Sequence, residues 1–155
     1  MTTVFSIPAA VLVETESALR DEAAERTVVW QVCEPPDLAM TVVHLVVPEQ
    51  QPIATRFGHL VRVPGRELAR MQFEAYHAGR RTWIQLHTHP ATDVRMSTTD
   101  QKWAIADFPG ALSIIVPDFG RRGLRGWPDV GVHERAEIGW RRWHRAEILA
   151  SLVVV

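Results

Sequence analysis

Three stretches of this chain leave the least freedom for its fold: TVVWQVCE (Thr27 to Glu34), RTWIQLHTH (Arg81 to His89) and ALSIIV (Ala111 to Val116). Each is rich in β-branched, aliphatic or aromatic residues, and each is bounded by turn formers: Pro35-Pro36 after the first, Gly79 before the second, Pro117 after the third. Runs with so little polar surface read as buried strands, and buried strands need helices laid against their sheet.

The helices are legible between them. Ser6-Ile7-Pro8 reads as a helix start, with Ser6 as N-cap and Pro8 in the first turn, where its missing N–H costs little. The helix should run to about Glu25, with Val11, Thr15 and Ala18, together with Leu12, Leu19 and Ala23, forming its apolar stripe. Pro64 opens a second helix, ELARMQFEAYHA, closed by Gly79. Ser97 caps a third of about ten residues. LAMTVVHLVV (Leu38 to Val47) and GHLVRV (Gly58 to Val63) add two strands, and a hairpin over Val132 to Trp143 and a last helix or strand, RAEILASLVVV, complete the chain. DFGRRGLRGWPDVG, after Pro117, reads as a flexible surface loop. Strands interleaved with helices make an α/β or α+β fold, a mixed central sheet covered by helices, in one domain over residues 1–155.

Composition removes several functions. A formal net charge of -1 gives no electrostatic footprint for nucleic acid. The lone Cys33 can form no intramolecular disulfide and no cysteine-rich zinc site, so a metal must be held by histidine and carboxylate; Cys33 itself reads as a buried strand residue. The N-terminus lacks a basic stretch followed by a long apolar run, and no segment approaches the roughly 20 apolar residues of a membrane span, so a cytoplasmic location is expected.

The chemistry concentrates in LHTHPATDVRMSTTDQKW, Leu86 to Trp103. Side chains two apart on a strand share a face, so His87 and His89 can aim at one ion. Pro90 turns the chain out of the strand, and Asp100, in the first turn of the next helix, is the third candidate ligand. Taken singly, each part has an ordinary explanation. With seven histidines in the chain, an H-x-H pair arises by chance in roughly one of four such sequences, and Ser97-Thr98-Thr99-Asp100 is also a capping-box sequence.

Together, however, the stretch reads H-x-H-x7-S-x2-D, and so resembles the JAMM (JAB/MPN) metalloprotease family: His87-Thr88-His89, seven residues to Met96, Ser97, two threonines, Asp100. The apolar WIQL before it and Pro90 after His89 also look like the family, and Thr88 replaces a serine common there. The resemblance implies a cytidine-deaminase-like topology and a zinc ion held by His87, His89 and Asp100. It also implies an upstream glutamate as general base at the junction of first helix and first core strand. Glu25 sits at that junction, with Glu22 one helical turn earlier as the competitor. The residues that follow, RTVVWQV, depart from the glycines and leucine-rich strand usual in the family. Glu25 would take a proton from the attacking water and return it to the departing amine, while Ser97 Oγ would donate to the oxyanion.

The implied substrate is the amide bond after the C-terminus of a ubiquitin-like protein or its conjugates, in a setting that includes activating and conjugating enzymes. The alternatives are a hydrolase releasing an amino acid from a sulfur-carrier-type ubiquitin-like protein, or a non-catalytic MPN scaffold. An extended substrate tail would add to a strand edge, with Gly120 to Gly131 as a flap. Zinc deamination is excluded, because its cysteine pair is missing. His133-Glu134 is no H-E-x-x-H motif, since position 137 is Glu137. Arg121, Arg122, Arg125, Arg141, Arg142 and Arg145 read as a solvated surface, with docking of an acidic partner as the alternative.

Overall fold

The computed structural model describes residues 2–55 and 58–155. The chain opens with β1 (Phe5–Ile7), α1 (Ala9–Leu19), β2 (Thr27–Cys33) and β3 (Val42–Val46). A hairpin follows, β4 (Gln51–Thr55) and β5 (Gly58–Arg62), then α2 (Gly65–His77), β6 (Arg80–Thr88) and the short α3 (Thr98–Lys102). After β7 (Leu112–Val116) come a 3-10 turn at Asp118–Gly120, the hairpin β8 (Gly131–Arg135) and β9 (Trp140–Arg142), then α4 (Arg145–Ser151) and β10 (Leu152–Val154).

Six strands form one sheet in the order β3-β2-β6-β7-β8-β9. Only the central β6–β7 pair is parallel; the others are antiparallel. This is the mixed central sheet, flanked by helices, that the apolar runs predict. Alternation sorts its two faces. Val28, Trp30, Val32, Ile84, Leu86, Leu112, Ile114 and Val116 join the main hydrophobic cluster, with Leu12 and Leu19 of α1 packed among them. Each such side chain contributes about 1.5–3 kcal/mol by leaving water. Trp30 is wholly buried, and its indole N–H needs a partner; Thr15 Oγ1 accepts it at 2.9 Å while donating to Val11 O. The intervening positions bring Thr27, Gln85, His87, Ser113 and His133, all buried and polar, to the other face.

Several boundaries differ from the sequence reading for identifiable reasons. Ser6 is a strand residue, because β1 pairs in parallel with β10; Pro8 precedes the first helical turn and no side chain caps it. Helix α1 stops at Leu19, Arg20 is extended, and the Asp21 carboxylate accepts the Ala23 N–H, a local turn that replaces helical bonding. β3 starts only at Val42, since Asp37 ties up the Thr41 N–H and hydroxyl and leaves Leu38 in solvent. Helix α3 is half the expected length: the Ile105 and Ala106 N–H groups go to Gln85 Oε1 instead of extending it. Cys33 is exposed, at the end of β2 rather than buried within it.

The Gly/Arg-rich segment is no flexible flap. Leu124, Trp127 and Val130 are buried, Trp127 Nε1 donates to Leu152 O at 3.1 Å, and Arg145 donates to the carbonyls of Gly126 and Trp127. Its glycines at positive φ, Gly120, Gly123 and Gly126, let the chain fold back while its apolar residues stay in the core. Three of the six arginines named above serve structure: besides Arg145, Arg122 pairs with Asp118 and Asp129, and Arg141 with Glu134 and Glu147. Among the described residues, no helix is long and apolar enough to cross a membrane.

Candidate metal centre

His87 is the last but one residue of β6, and His89 follows where the strand gives way to a loop. Their Nε2 atoms stand 3.1 Å apart. Asp100 reaches both, with Oδ1 3.3 Å from His87 Nε2 and Oδ2 3.4 Å from His89 Nε2. Donors held at about 2.0–2.1 Å around one tetrahedral ion lie about 3.3 Å from one another, so the triangle has the size that zinc requires. Among the described residues, these three are the group of His, Cys, Asp and Glu side chains that could hold a metal.

The surroundings favour lone pairs pointing inward. His89 Nδ1 lies 2.7 Å from Asp93 O, where only an N–H can bond to a carbonyl. In a neutral ring that leaves Nε2 as a free ligand. Burial would push the Asp100 carboxyl up, but the His87 and His89 rings beside it outweigh that and hold the group well below the usual carboxylate range. Burial lowers His89, yet its bonds to Asp100 and Asp93 leave the ring raised overall.

Two structural facts carry Glu25 to the same place. Strand β2 pairs with β6 so that Thr27 lies opposite His87. One step earlier, the Arg26 N–H donates to Thr88 Oγ1 at 2.9 Å and Arg26 O accepts the Thr88 N–H at 3.0 Å. Continuing that register sets Glu25 across from His89. Burial raises its carboxyl above the ordinary value, against the pull of His89 and His87. Glu22 is exposed, outside this pairing.

Ser97 combines two functions of position. Its Oγ accepts the Asp100 N–H at 3.0 Å, and Asp100 Oδ2 accepts the Ser97 N–H at 2.9 Å, a full capping box. That box orients the Asp100 carboxylate, and the Ser97 hydroxyl proton is left to donate elsewhere.

Four further positions matter that the motif does not display. Thr88, between the histidines and so on the opposite face, clamps the strand beside Glu25. Gln50 holds Thr27 by both backbone groups, at 2.8 and 2.9 Å. Gln85, two residues before His87 and therefore on its face, ties down the Ile105 and Ala106 backbone. His133 Nε2 lies 2.9 Å from Val94 O, on the loop joining His89 to Ser97, and its buried ring has its pKa lowered by burial. Of these, only the alternation around the H-x-H pair offered a signal in advance.

Gly131, two residues from His133, packs against that same loop: a Cβ there would overlap the Val94 carbonyl and side chain. Gly131→Ala is expected to displace the loop, destabilising the fold by about 1–3 kcal/mol and weakening metal binding at the triangle by about 10–100-fold, as changes in the residues that orient ligands do. Competition against a chromophoric chelator, with thermal melting alongside, checks this; unaltered affinity would show that the loop is not held from Gly131.

No family model matches the chain. It is 38% identical over 85 residues to the probable metalloprotease y4jG of Sinorhizobium fredii (strain NBRC 101917 / NGR234), a match covering 55% of this chain and 52% of that protein. The match thus spans about half the length of that curated relative. Among solved structures, it is similar to protein DSY2949 from Desulfitobacterium hafniense, with a TM-score of 0.59 and 14% identity over 98% of this chain and 93% of that one. It is similar also to AF2198, a JAB1/MPN domain protein from Archaeoglobus fulgidus, with a TM-score of 0.53 and 14% identity over 98% of both chains. At such identity the likeness speaks for the fold alone. With the complete H-x-H-x7-S-x2-D residue set assembled at the end of the central strand β6, the chain is a small protein of JAB/MPN fold that carries the JAMM motif.

Proposed function

We propose that this chain is a zinc-dependent peptidase or isopeptidase that hydrolyses the amide bond after the C-terminus of a ubiquitin-like protein. The observation that carries this reading is the His87, His89, Asp100 triangle of zinc dimensions with Glu25 set across from His89. The partial relative named a probable metalloprotease supports it.

When bound, zinc polarises a carbonyl and lowers the pKa of water toward neutrality. The residues do the rest. His87, His89 and Asp100 would hold the ion as its protein donors. Glu25 accepts a proton from the attacking water and passes it to the leaving nitrogen as the C–N bond breaks. Ser97 Oγ–H donates to the oxyanion. No covalent intermediate on the protein is needed, consistent with a lone cysteine lying at the far end of β2 from Glu25. The partners under this reading are ubiquitin-like proteins, their conjugates, and the activating and conjugating enzymes that make them.

The test is a fusion in which a ubiquitin-like protein is joined through its C-terminal glycine to a reporter. The zinc-loaded chain is expected to release the reporter, to stop when chelator is added and to resume when zinc is restored. A chain that binds zinc but cleaves no fusion, conjugate or peptide would refute the reading.

A further inference from the structure

The segment from His89 to Asp107 carries His89, Ser97 and Asp100, yet it has little packing of its own. Helix α3 buries none of its residues. Along the whole segment the buried residues are Val94 and Ala106. Donors to a small ion must nevertheless keep their places to within about 0.5 Å. The segment must therefore be held from outside.

Both buried points are held from one row of the central sheet. Gln85 on β6, Ser113 on β7 and His133 on β8 lie side by side in register, on the face that carries His87. Each is at most 5% exposed. Gln85 Oε1 accepts the Ile105 N–H at 2.5 Å and the Ala106 N–H at 3.4 Å, while its Nε2 donates to Ser113 Oγ at 3.2 Å. At the other end of the row, His133 Nε2 donates to Val94 O, 2.9 Å away. Among the described residues, these are the hydrogen bonds that tie residues 94–106 to the central sheet, apart from the triangle itself. Buried polar side chains cost free energy that apolar ones would not, but once bonded they fix geometry.

The two clamps flank the ligands. Val94 follows the Asp93 carbonyl that faces His89 Nδ1, and Ile105 lies shortly after Asp100. Gln85 is itself two residues from His87 on the same strand, so it fixes the helix of one ligand against the strand of another.

We propose that Gln85 and His133, with Ser113 between them, are positioning residues that set the width of the donor triangle and make it selective for an ion of zinc's size over a larger one such as cadmium. This rests on the metal-centre reading and is independent of what the site hydrolyses. Opening the triangle to a larger ion moves Asp100 or His89 away from His87. The clamps at Val94 and Ile105 resist that movement, and geometry of this kind is how sites choose among similar ions.

Gln85→Met removes one clamp with little change of shape, and His133→Phe removes the other. Gln85 also lines a pocket of about 310 Å³ beside the triangle, together with Glu25, Arg62 and Lys102, whereas His133 does not, so the two variants share only the loss of a clamp. His133→Gln, which keeps an N–H near the position of Nε2, is the rescue. Ile114→Val, in the apolar cluster on the opposite face of β7, is the control for plain loss of stability. Zinc and cadmium affinities of the full chain are read by chelator competition with thermal melting alongside, and cobalt(II) absorption reports the coordination of the centre. In both clamp variants the zinc-to-cadmium affinity ratio is expected to fall about tenfold, through weaker zinc binding, and the strong visible bands of four-coordinate cobalt should fade. His133→Gln and Ile114→Val should keep the wild-type ratio and spectrum, although Ile114→Val melts earlier. A wild-type ratio and spectrum in either folded clamp variant, or an equal shift in Ile114→Val, overturns the proposal; if His133→Phe does not fold, Gln85→Met decides. Shifted ratios in a chain whose wild type cleaves no fusion or peptide support the proposal and overturn the peptidase reading alone. Unshifted ratios in a chain that does cleave overturn the proposal alone, and a wild type that binds neither ion overturns both.

Discussion

Glu25→Gln is expected to retain one zinc per chain and to lose hydrolysis by a factor of about 10²–10⁴, the usual worth of a positioned general base. The amide is nearly isosteric, so the backbone clamp between Arg26 and Thr88 and the pairing of Thr27 with His87 remain. What disappears is the carboxylate's capacity to take a proton. Because Glu25 lies outside the donor triangle, metal content should not fall, and the loss should appear in kcat. Glu22→Gln is the control: its carboxylate is exposed, beyond the register that aligns Glu25 with His89, and near-wild-type rates are expected. Steady-state kinetics with elemental analysis on the same samples decide the matter. A fully active Glu25→Gln protein would show that the base lies elsewhere.

The second large effect concerns the ion. Wild-type protein should bind about one zinc, and His87→Ala or Asp100→Asn should abolish stoichiometric binding. Removing His87 takes away one of three protein donors; Asp100→Asn removes the negative charge that offsets the ion's own. Zinc should also stabilise the wild type, by about 2.7 kcal/mol when free zinc is a hundredfold above Kd, and leave His87→Ala unmoved. Thermal melting with and without zinc, next to metal analysis, reads both. Wild-type protein that can be neither isolated with zinc nor reconstituted would overturn the metal assignment and the function built on it.

How far the site can be read in advance depends on the range of the interactions involved. His87 and His89 are two apart on a strand, and strand alternation alone puts them on one face. Ser97 and Asp100 are linked within one helical turn, so a local capping rule predicts their mutual hydrogen bonds, which are present. The choice between Glu25 and Glu22 is different in kind. It depends on where α1 ends, and α1 ends at Leu19 because Asp21 forms its own turn; Glu25 then lies in the extended segment that leads into β2. The same holds for the segment after Pro117, whose glycines and arginines read as a mobile surface. Only the packed structure shows Leu124 and Trp127 in the core and Arg145 closing over the carbonyls of Gly126 and Trp127.

The sequence by itself determined the buried strands, the mixed sheet with its helices, and the spacing of a metal-binding motif. These rest on hydrophobic periodicity, capping and turn chemistry, interactions that operate within a few residues. Tertiary structure alone decided the register of β2 on β6, which carries Glu25 to His89 across more than sixty residues of chain. It alone placed the β5 cation Arg62 and the α3 cation Lys102 on one pocket beside the triangle. Long-range pairing depends on how whole faces pack rather than on any local rule, and at this site it brings Glu25, the residue proposed as base, beside the triangle.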